Sequence, residues 1–230
     1  MKLEDLIEMY EDRKKKFGVE AYKHISELLA EAKEVHMKDF LEHPTPQGNH
    51  QQSWNSFKGH NLEGLITHII EEEVKSLGLK LVRGDKLERT KSENLSKELS
   101  EVKQRLWIDF GEFGAQLPDL DIVVFDPRTY NIVAVISSKV TLRERIAQTG
   151  YWKIKLFNNK PTKHVKVFFF TPDEDGTLTK KTHMKKGRVI VEVDTDGGYV
   201  MSETQVEESS KVKMFDKFID DLRELVNEQR

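Results

Sequence analysis

The sequence predicts an α/β fold in which a mixed central sheet is flanked by helices, with extra helices near the start and the end of the chain. Two observations support this prediction. Apolar residues recur at helical spacing over residues 1–42 and again from Leu62 to Leu77. In contrast, the runs 121–125 and 131–138 are β-branched and apolar at nearly every position, which indicates strands buried on both faces. Such a combination is typical of domains that pack helices against a sheet.

The first 60 residues divide into a helical part and a predicted loop. Within residues 1–42, Gly18 is expected to separate two helices. Segment 43–60 contains prolines, glycines and many amide side chains, so we predict a long polar loop there.

The segment 61–77 is the clearest predicted helix. Its apolar residues repeat at i, i+3, i+4 and i+7, with Asn61 as a candidate N-cap and Gly78 as a candidate stop. Residues 79–83 then predict a short strand, and the polar stretch 85–107 predicts a solvent-exposed helix.

The second half of the chain is predicted to complete the sheet and its helical cover. The turn sequence "DPRTY" joins the two buried runs, which are therefore expected to form a hairpin. The remaining predicted elements are a helix at 141–159, strands at 164–173 and 187–195, and an amphipathic helix at 211–229. The order helix, strand, strand, strand, helix, strand over residues 61–171 defines the expected core.

Length and composition restrict the class of protein. With 230 residues, we expect one domain over 1–230, comprising a helical part (1–42), a core (61–171) and a closing helix (211–229). The absence of cysteine excludes disulfides, thiolate zinc sites and a cysteine nucleophile. The charged N-terminus and the lack of a long apolar run predict a soluble, cytoplasmic protein with no membrane span. The net charge of −3 lacks the basic excess that favours nucleic acid, yet a local basic surface is compatible with it.

Acidic residues and a lysine are expected to meet at one end of the hairpin. Asp119 and Asp121 precede its first strand, and strand pairing folds Asp121 back towards residues 137–139. Ser137 and Lys139 are two residues apart, so they project from one face of their strand. Carboxylates in this arrangement can hold Mg²⁺, and an adjacent lysine can orient or help deprotonate an attacking water. The pattern fits phosphodiester hydrolysis, although such an Asp is commonly a turn residue and such a Lys is commonly solvated.

These residues resemble a known nuclease motif. Pro-Asp at 118–119, the hairpin and Ser-Ser-Lys at 137–139 are similar to the PD-(D/E)XK motif, and the predicted element order resembles the core of that superfamily. The acid that this motif places two residues before the lysine is Ser137 here. Type II restriction endonucleases of the CCGG-recognising group resemble the chain in this departure, and they carry an Arg-(Asp/Glu)-Arg triplet shortly after the lysine. Here the triplet occupies 143–145.

The resemblance implies a Mg²⁺-dependent, sequence-specific endonuclease for double-stranded DNA in the cytoplasm of a prokaryotic cell. Asp119, Asp121 or both would bind the metal, and Lys139 would activate water. Cutting both strands of a symmetric site requires two active sites related by a two-fold axis, so the resemblance implies a homodimer, with a tetramer as the alternative.

The triplet makes chemical sense as a set of base-reading residues. The guanidinium groups of Arg143 and Arg145 can each donate two hydrogen bonds to guanine O6 and N7, while Glu144 can accept one from cytosine N4. Alternatively, the stretch 141–144 fits a capping box in which Glu144 bonds back to the amide of Thr141, with the arginines exposed.

A carboxylate from elsewhere is expected to replace the acid missing at Ser137. Glu63 and Glu73 fall within the apolar face of the helix at 61–77, where an unpaired carboxylate is costly. The resemblance favours Glu63, because the stretch 59–63 is similar to the start of a core helix whose glutamate joins the metal site in many restriction enzymes. Glu73 is the fallback.

Two other functions fit parts of this pattern. A structure-selective repair or junction nuclease on the same fold would recognise DNA shape, and the arginine triplet argues against it. A non-catalytic DNA-binding protein would carry Ser137 as the mark of a decayed site, and the acids with Lys139 argue against that. The predicted loop 43–60 contains several amide side chains and Trp54. These residues fit either a DNA contact or a plain surface loop.

Overall fold

The computed structural model describes residues 1–43, 49–141 and 145–229, and the helices and strands below are those of this part of the chain. The helices are α1 (Leu3–Phe17), α2 (Ile25–Glu42), α3 (His50–Ser76), α4 (Gly84–Arg89), α5 (Lys97–Leu106), α6 (Arg145–Asn158), α7 (Lys186–Asp194) and α8 (Phe218–Gln229). The strands are β1 (Lys80–Arg83), β2 (Ile108–Asp109), β3 (Ala115–Gln116), β4 (Ile122–Phe125), β5 (Ile132–Ser138), β6 (Lys166–Thr171), β7 (Gly197–Val200) and β8 (Val212–Met214).

A mixed six-stranded sheet organises the molecule, in the order β1-β4-β5-β6-β7-β8. Strand β4 is antiparallel to both of its neighbours, β1 and β5, whereas β5, β6, β7 and β8 run parallel to one another. Every residue of β4 and β5 is buried. The predicted mixed sheet and the predicted hairpin are therefore confirmed, and so is burial on both faces.

Helices cover the sheet on both sides because successive strand residues point to opposite faces. Ile122 and Val124 of β4 join a large apolar core formed with α1, α2, α3 and α8. Val123 and Phe125 of the same strand join a smaller core with residues of α4, α5 and α6. No helix in the described ranges is long and apolar enough to cross a membrane.

The helical N-terminal part is confirmed, and α1 ends at Gly18 as predicted. This glycine has φ +59°, a left-handed conformation that stops the helix at little steric cost. A 3₁₀ turn over Gly18–His24 connects α1 to α2.

The prediction of a loop over 43–60 is wrong from His50 onwards. Helix α3 starts there because the side chain of Asn49 accepts a hydrogen bond from the Gln52 amide at 2.9 Å. Asn61, the predicted cap, lies inside the helix and donates to the carbonyl of Phe57 at 2.8 Å. The helix ends before Gly78, as predicted. Residues 44–48 lie outside the described part of the chain.

The strand predicted at 187–195 is also wrong, because this β-branched run forms α7. Arg188 and Val191 lie one turn apart on the buried side of the helix, whereas Val189 and Val193 are exposed. On the side away from β5, β6 pairs with β7, a strand that was not predicted. A Cβ at Gly198 of β7 would lie 2.7 Å from Val191, so glycine permits the close approach of α7.

Three further features of the fold differ from the predictions. The helix predicted at 211–229 begins as strand β8 and becomes helical only at Phe215. The polar helix predicted at 85–107 is divided into α4 and α5. The small hairpin of β2 and β3 was not predicted.

Candidate active site

Asp121 lies at the centre of a polar cluster at one end of the hairpin. Its amide donates to the carbonyl of Ile136, which extends the β4–β5 register and places Asp121 opposite Ser137. Its carboxylate accepts hydrogen bonds from the Ser138 amide at 2.5 Å and from Lys139 Nζ at 2.7 and 2.9 Å. Asp121 is only 7% exposed, so these contacts hold the carboxylate in one orientation.

A glycine at the β1–α4 junction fixes the backbone on the other side of Asp121. The amide of Gly84 donates to the carbonyl of Asp121 at 2.9 Å. A Cβ at Gly84 would lie 1.7 Å from the carbonyl oxygen of Leu120, so any side chain here would displace the strand. The cluster therefore depends on glycine at this position.

Glu63 brings a second carboxylate to the same place from α3. Its Oε1 lies 3.8 Å from Lys139 Nζ, and its side chain is 15% exposed. Burial, followed by the charge of Asp121, raises the pKa of Glu63 well above the ordinary glutamate value, while Lys139 acts in the opposite direction. Two largely buried carboxylates thus share one ammonium group.

Asp119 does not join this cluster. Its side chain is exposed and accepts a hydrogen bond from Gln148 Nε2 of α6 at 2.7 Å. It nevertheless lines the same cleft, which has a volume of about 300 Å³ and also exposes Asp121, Glu63 and Lys139. Of the two aspartates left open by the sequence, Asp121 is the one beside the lysine.

Glu73, the fallback acid, is not brought to the site. It is exposed and lines a separate cleft with Tyr10 at the far end of α3. Its predicted position within the buried face of the helix is wrong, since the core there is formed by Ile70 and Val74.

Arg83, the last residue of β1, also belongs to the cluster and was not predicted. Its Nη2 lies 3.0 Å from Asp85, 3.8 Å from Glu63 Oε2 and 3.2 Å from the His60 ring. β1 pairs directly with β4, with Arg83 opposite Ile122, so the guanidinium lies beside the acids. One feature of the sequence indicates this role, which is that a basic residue ends the strand before the hairpin.

The base-reading triplet falls largely outside the described residues. Arg143 and Glu144 are in the undescribed segment, as is most of the alternative capping box, and only the backbone of Arg145 is described, as the first residue of α6.

The predicted loop contributes to the cleft in an unexpected way. Trp54 is buried at 3% exposure and stacks against Phe57, so this aromatic ring supports α3 instead of facing solvent. Asn55 and Ser56, on the same turn of α3, line the cleft. The amide of Asn55 is thus available at the site, but Trp54 is not.

Comparison with known proteins identifies a family that this chain matches. The model of the family described as BsaWI restriction endonuclease type 2 matches residues 98–221, which include Asp121 and Lys139. MjaVIP of Methanocaldococcus jannaschii, assigned to the type II restriction enzymes, is 34% identical over 215 residues, covering 88% of this chain and 93% of the relative. HpyAORF263P of Helicobacter pylori, assigned to the same class, is 35% identical over 135 residues, covering 59% of this chain and 68% of the relative.

A solved structure supports the fold independently of sequence similarity. The restriction endonuclease AgeI, crystallised with DNA, superposes with a TM-score of 0.56 at 15% identity, covering 95% of this chain and 91% of that chain. The family model spans more than half of the chain, and MjaVIP matches over nearly its full length. The chain therefore belongs to the BsaWI family of type II restriction endonucleases, enzymes that cleave DNA.

Proposed function

We propose that this restriction endonuclease hydrolyses phosphodiester bonds in double-stranded DNA at a specific sequence, with Mg²⁺, in a PD-(D/E)XK site of the CCGG-recognising type. The proposal takes residues 1–230 as one nuclease domain. The observation that carries it is the meeting of Asp121, Glu63 and Lys139 in one cleft.

The donor set fits a hard divalent cation. Asp121 and Glu63 offer only carboxylate oxygens, the ligands that Mg²⁺ prefers. Burial, followed by repulsion from Asp121, raises the pKa of Glu63 and so favours its protonation in the metal-free protein. A bound dication would stabilise both groups as carboxylates, so metal binding and ionisation of Glu63 would support each other.

In this proposal each side chain has a defined task. Lys139, held by Asp121, orients the attacking water and offsets charge on the phosphate oxygens. Asp121 and Glu63 hold Mg²⁺, which when bound would acidify water and stabilise the charge developing on the phosphate. Asp119, on the rim of the cleft, would complete the acidic set through water. Arg83 holds the Glu63 side chain in place.

Base recognition is assigned to Arg143, Glu144 and Arg145. In the chain they begin four residues after Lys139, which itself directly follows β5, so reading G·C pairs would be coupled to the position of the scissile phosphate. The chemistry of the triplet supports a site that contains C·G pairs.

We propose a homodimer as the active form, with the N-terminal or C-terminal helices as the dimer surface. A symmetric DNA site cut in both strands needs two copies of the cleft. Light scattering of the purified protein, alone and with DNA, would distinguish a dimer from a tetramer.

Digestion of an unmethylated bacteriophage genome tests the proposed function. Sharp bands with Mg²⁺ and none with EDTA are expected, and sequencing of the fragment ends would give the recognition site. A smear would instead support a structure-selective or non-specific nuclease. Intact DNA with Mg²⁺ would contradict catalysis and support a DNA-binding role alone.

A further inference from the structure

A second cluster of metal-binding side chains lies away from the cleft, where the N-terminal helices meet the segment that follows β7. His24 precedes α2, Glu27 lies in its first turn, and Glu203 comes from the segment after β7. One ligand atom from each residue lies within 4.8 Å of the other two. Across the described ranges, this is the only group of three or more such residues that meets this distance.

The imidazole of His24 is held in a fixed orientation. Its ring stacks on Phe17, with centroids 3.8 Å apart and planes inclined by 22°. The side chain is only 11% exposed, whereas Glu27 and Glu203 are 57% and 59% exposed. The His24 side of the cluster is therefore fixed by packing, and the side formed by the two glutamates is open to an ion from solution.

The distances between the ligand atoms match those of a tetrahedral metal site. Nδ1 of His24 lies 3.2 Å from Glu27 Oε2 and 3.2 Å from Glu203 Oε1. One N–H of His24 can reach both carboxylates only as a long, shared hydrogen bond. Charge-assisted hydrogen bonds to a single carboxylate are shorter, at about 2.7–2.9 Å. Zinc bonds of about 2.0–2.2 Å at tetrahedral angles place neighbouring ligand atoms about 3.3 Å apart.

We propose that His24, Glu27 and Glu203 form a Zn²⁺-type site distinct from the catalytic cleft. Neutral imidazole Nδ1 and one oxygen from each carboxylate would supply three ligands, with water as the fourth. The imidazole favours zinc over Mg²⁺, which prefers oxygen ligands alone. The two carboxylates balance the charge of the ion. Lys23, the neighbouring cation, is already paired with Glu20.

The consequence of this site would be a cross-link between distant parts of the chain. It would tie the N-terminal helices to the segment leading into β8, at the edge of the sheet opposite β1. Because unfolding separates the ligands, bound zinc would stabilise the folded protein, and more so at higher zinc concentration.

Calorimetric titration of the metal-free, full-length protein with Zn²⁺ alone tests the proposal, with melting temperature as a second readout. The Asp121→Asn variant is used as background, so that zinc at the catalytic acids does not contribute. We expect one binding site and a rise in melting temperature with zinc. His24→Gln and Glu203→Gln, each added to this background, should weaken binding at least tenfold and remove the rise. His43→Gln, a change at an exposed histidine, should retain both.

The outcomes separate a lost ligand from a lost fold. Equal melting temperatures of all variants without zinc would show that the substitutions leave the fold intact, so that weaker binding reflects the missing ligand. If a Gln variant melts lower without zinc, Glu27→Gln provides the same comparison at an exposed position. Absence of zinc binding in the background protein, or zinc affinity unchanged by both His24→Gln and Glu203→Gln, would overturn the proposal.

Discussion

Lys139 Nζ lies 2.7 Å from Asp121 Oδ2 and 3.8 Å from Glu63 Oε1, so one ammonium group joins a carboxylate of the hairpin to a carboxylate of α3. Glu63 and Asp121 thereby lie in one cleft, although they are 58 positions apart in the chain. This arrangement leads to the following predictions.

Replacing Lys139 by alanine should abolish cleavage while DNA binding persists. The ammonium group contacts the reacting centre in our proposal, and removal of such a group lowers rates by about 10²–10⁴-fold. Single-turnover cleavage and gel-shift binding in Ca²⁺ would measure the two effects separately. Lys15→Ala is the control, since Lys15 is exposed and pairs with Asp12, away from the cleft. Undiminished cutting by Lys139→Ala would remove this residue from the mechanism.

Glu63→Gln should flatten the dependence of stability on pH in metal-free buffer. Burial and Asp121 raise the pKa of Glu63 above its ordinary value of 4.5. The folded protein then retains a proton that the unfolded chain releases, so the Glu63 contribution to stability is lost as pH rises above 4.5 and through the folded pKa. Urea unfolding of both proteins at several pH values would measure this, with Glu73→Gln as the control. Identical pH profiles for wild type and Glu63→Gln would contradict the raised pKa.

Arg83→Ala should reduce the rate of cleavage by misplacing Glu63. It should also destabilise the fold by about 1–3 kcal/mol, because Glu63 and Asp85 would lose a largely buried partner. Arg83→Lys should recover part of the rate, since it keeps the charge without the fork. If Glu63 positioning is the cause, less Mg²⁺ should be bound at equal concentration. An Arg83→Ala enzyme with unchanged Mg²⁺ affinity and turnover would exclude this positioning role.

The buried His36 should make the protein less stable in mild acid. Burial lowers its pKa below 6.5, assisted by His50 and the N-terminal amine and opposed by Asp39. The unfolded chain then takes up a proton that the folded state does not, so stability falls as pH drops through 6.5. Melting temperatures between pH 5 and 7.5 should fall less steeply for His36→Phe, which retains the packing on Trp54. Parallel curves for the variant, the exposed control His43→Gln and wild type would refute this prediction.

Local sequence was sufficient to predict the helices and strands whose intrinsic propensity agrees with their packing in the folded protein. The runs in β4 and β5 are β-branched and doubly buried, so propensity and packing favour the same structure. In α7 the same residue types form a helix, because Arg188 and Val191 find buried contacts at helical spacing. β7 begins Gly-Gly, which carries no strand propensity, and its pairing with β6 is decided by tertiary packing.

The site was predictable in part for the same reason. Hairpin geometry places Asp121 near Lys139 whatever the rest of the chain does. The contact of Asp119 with Gln148 was not predictable, and neither was the part played by Arg83, which depends on β1 pairing with β4. Both contacts join segments far apart in sequence, which periodicity and motif spacing do not report.

Digestion of an unmethylated phage genome by the Asp121→Asn and Asp119→Asn variants would decide which aspartate the cleavage reaction requires. Wild type should give sharp Mg²⁺-dependent fragments, Asp121→Asn should give none, and Asp119→Asn should retain measurable cutting because its side chain lies on the rim. Melting temperatures close to that of wild type would show that both variants are folded. Cleavage retained by Asp121→Asn and lost in Asp119→Asn would contradict the assignment of Asp121 as the central carboxylate.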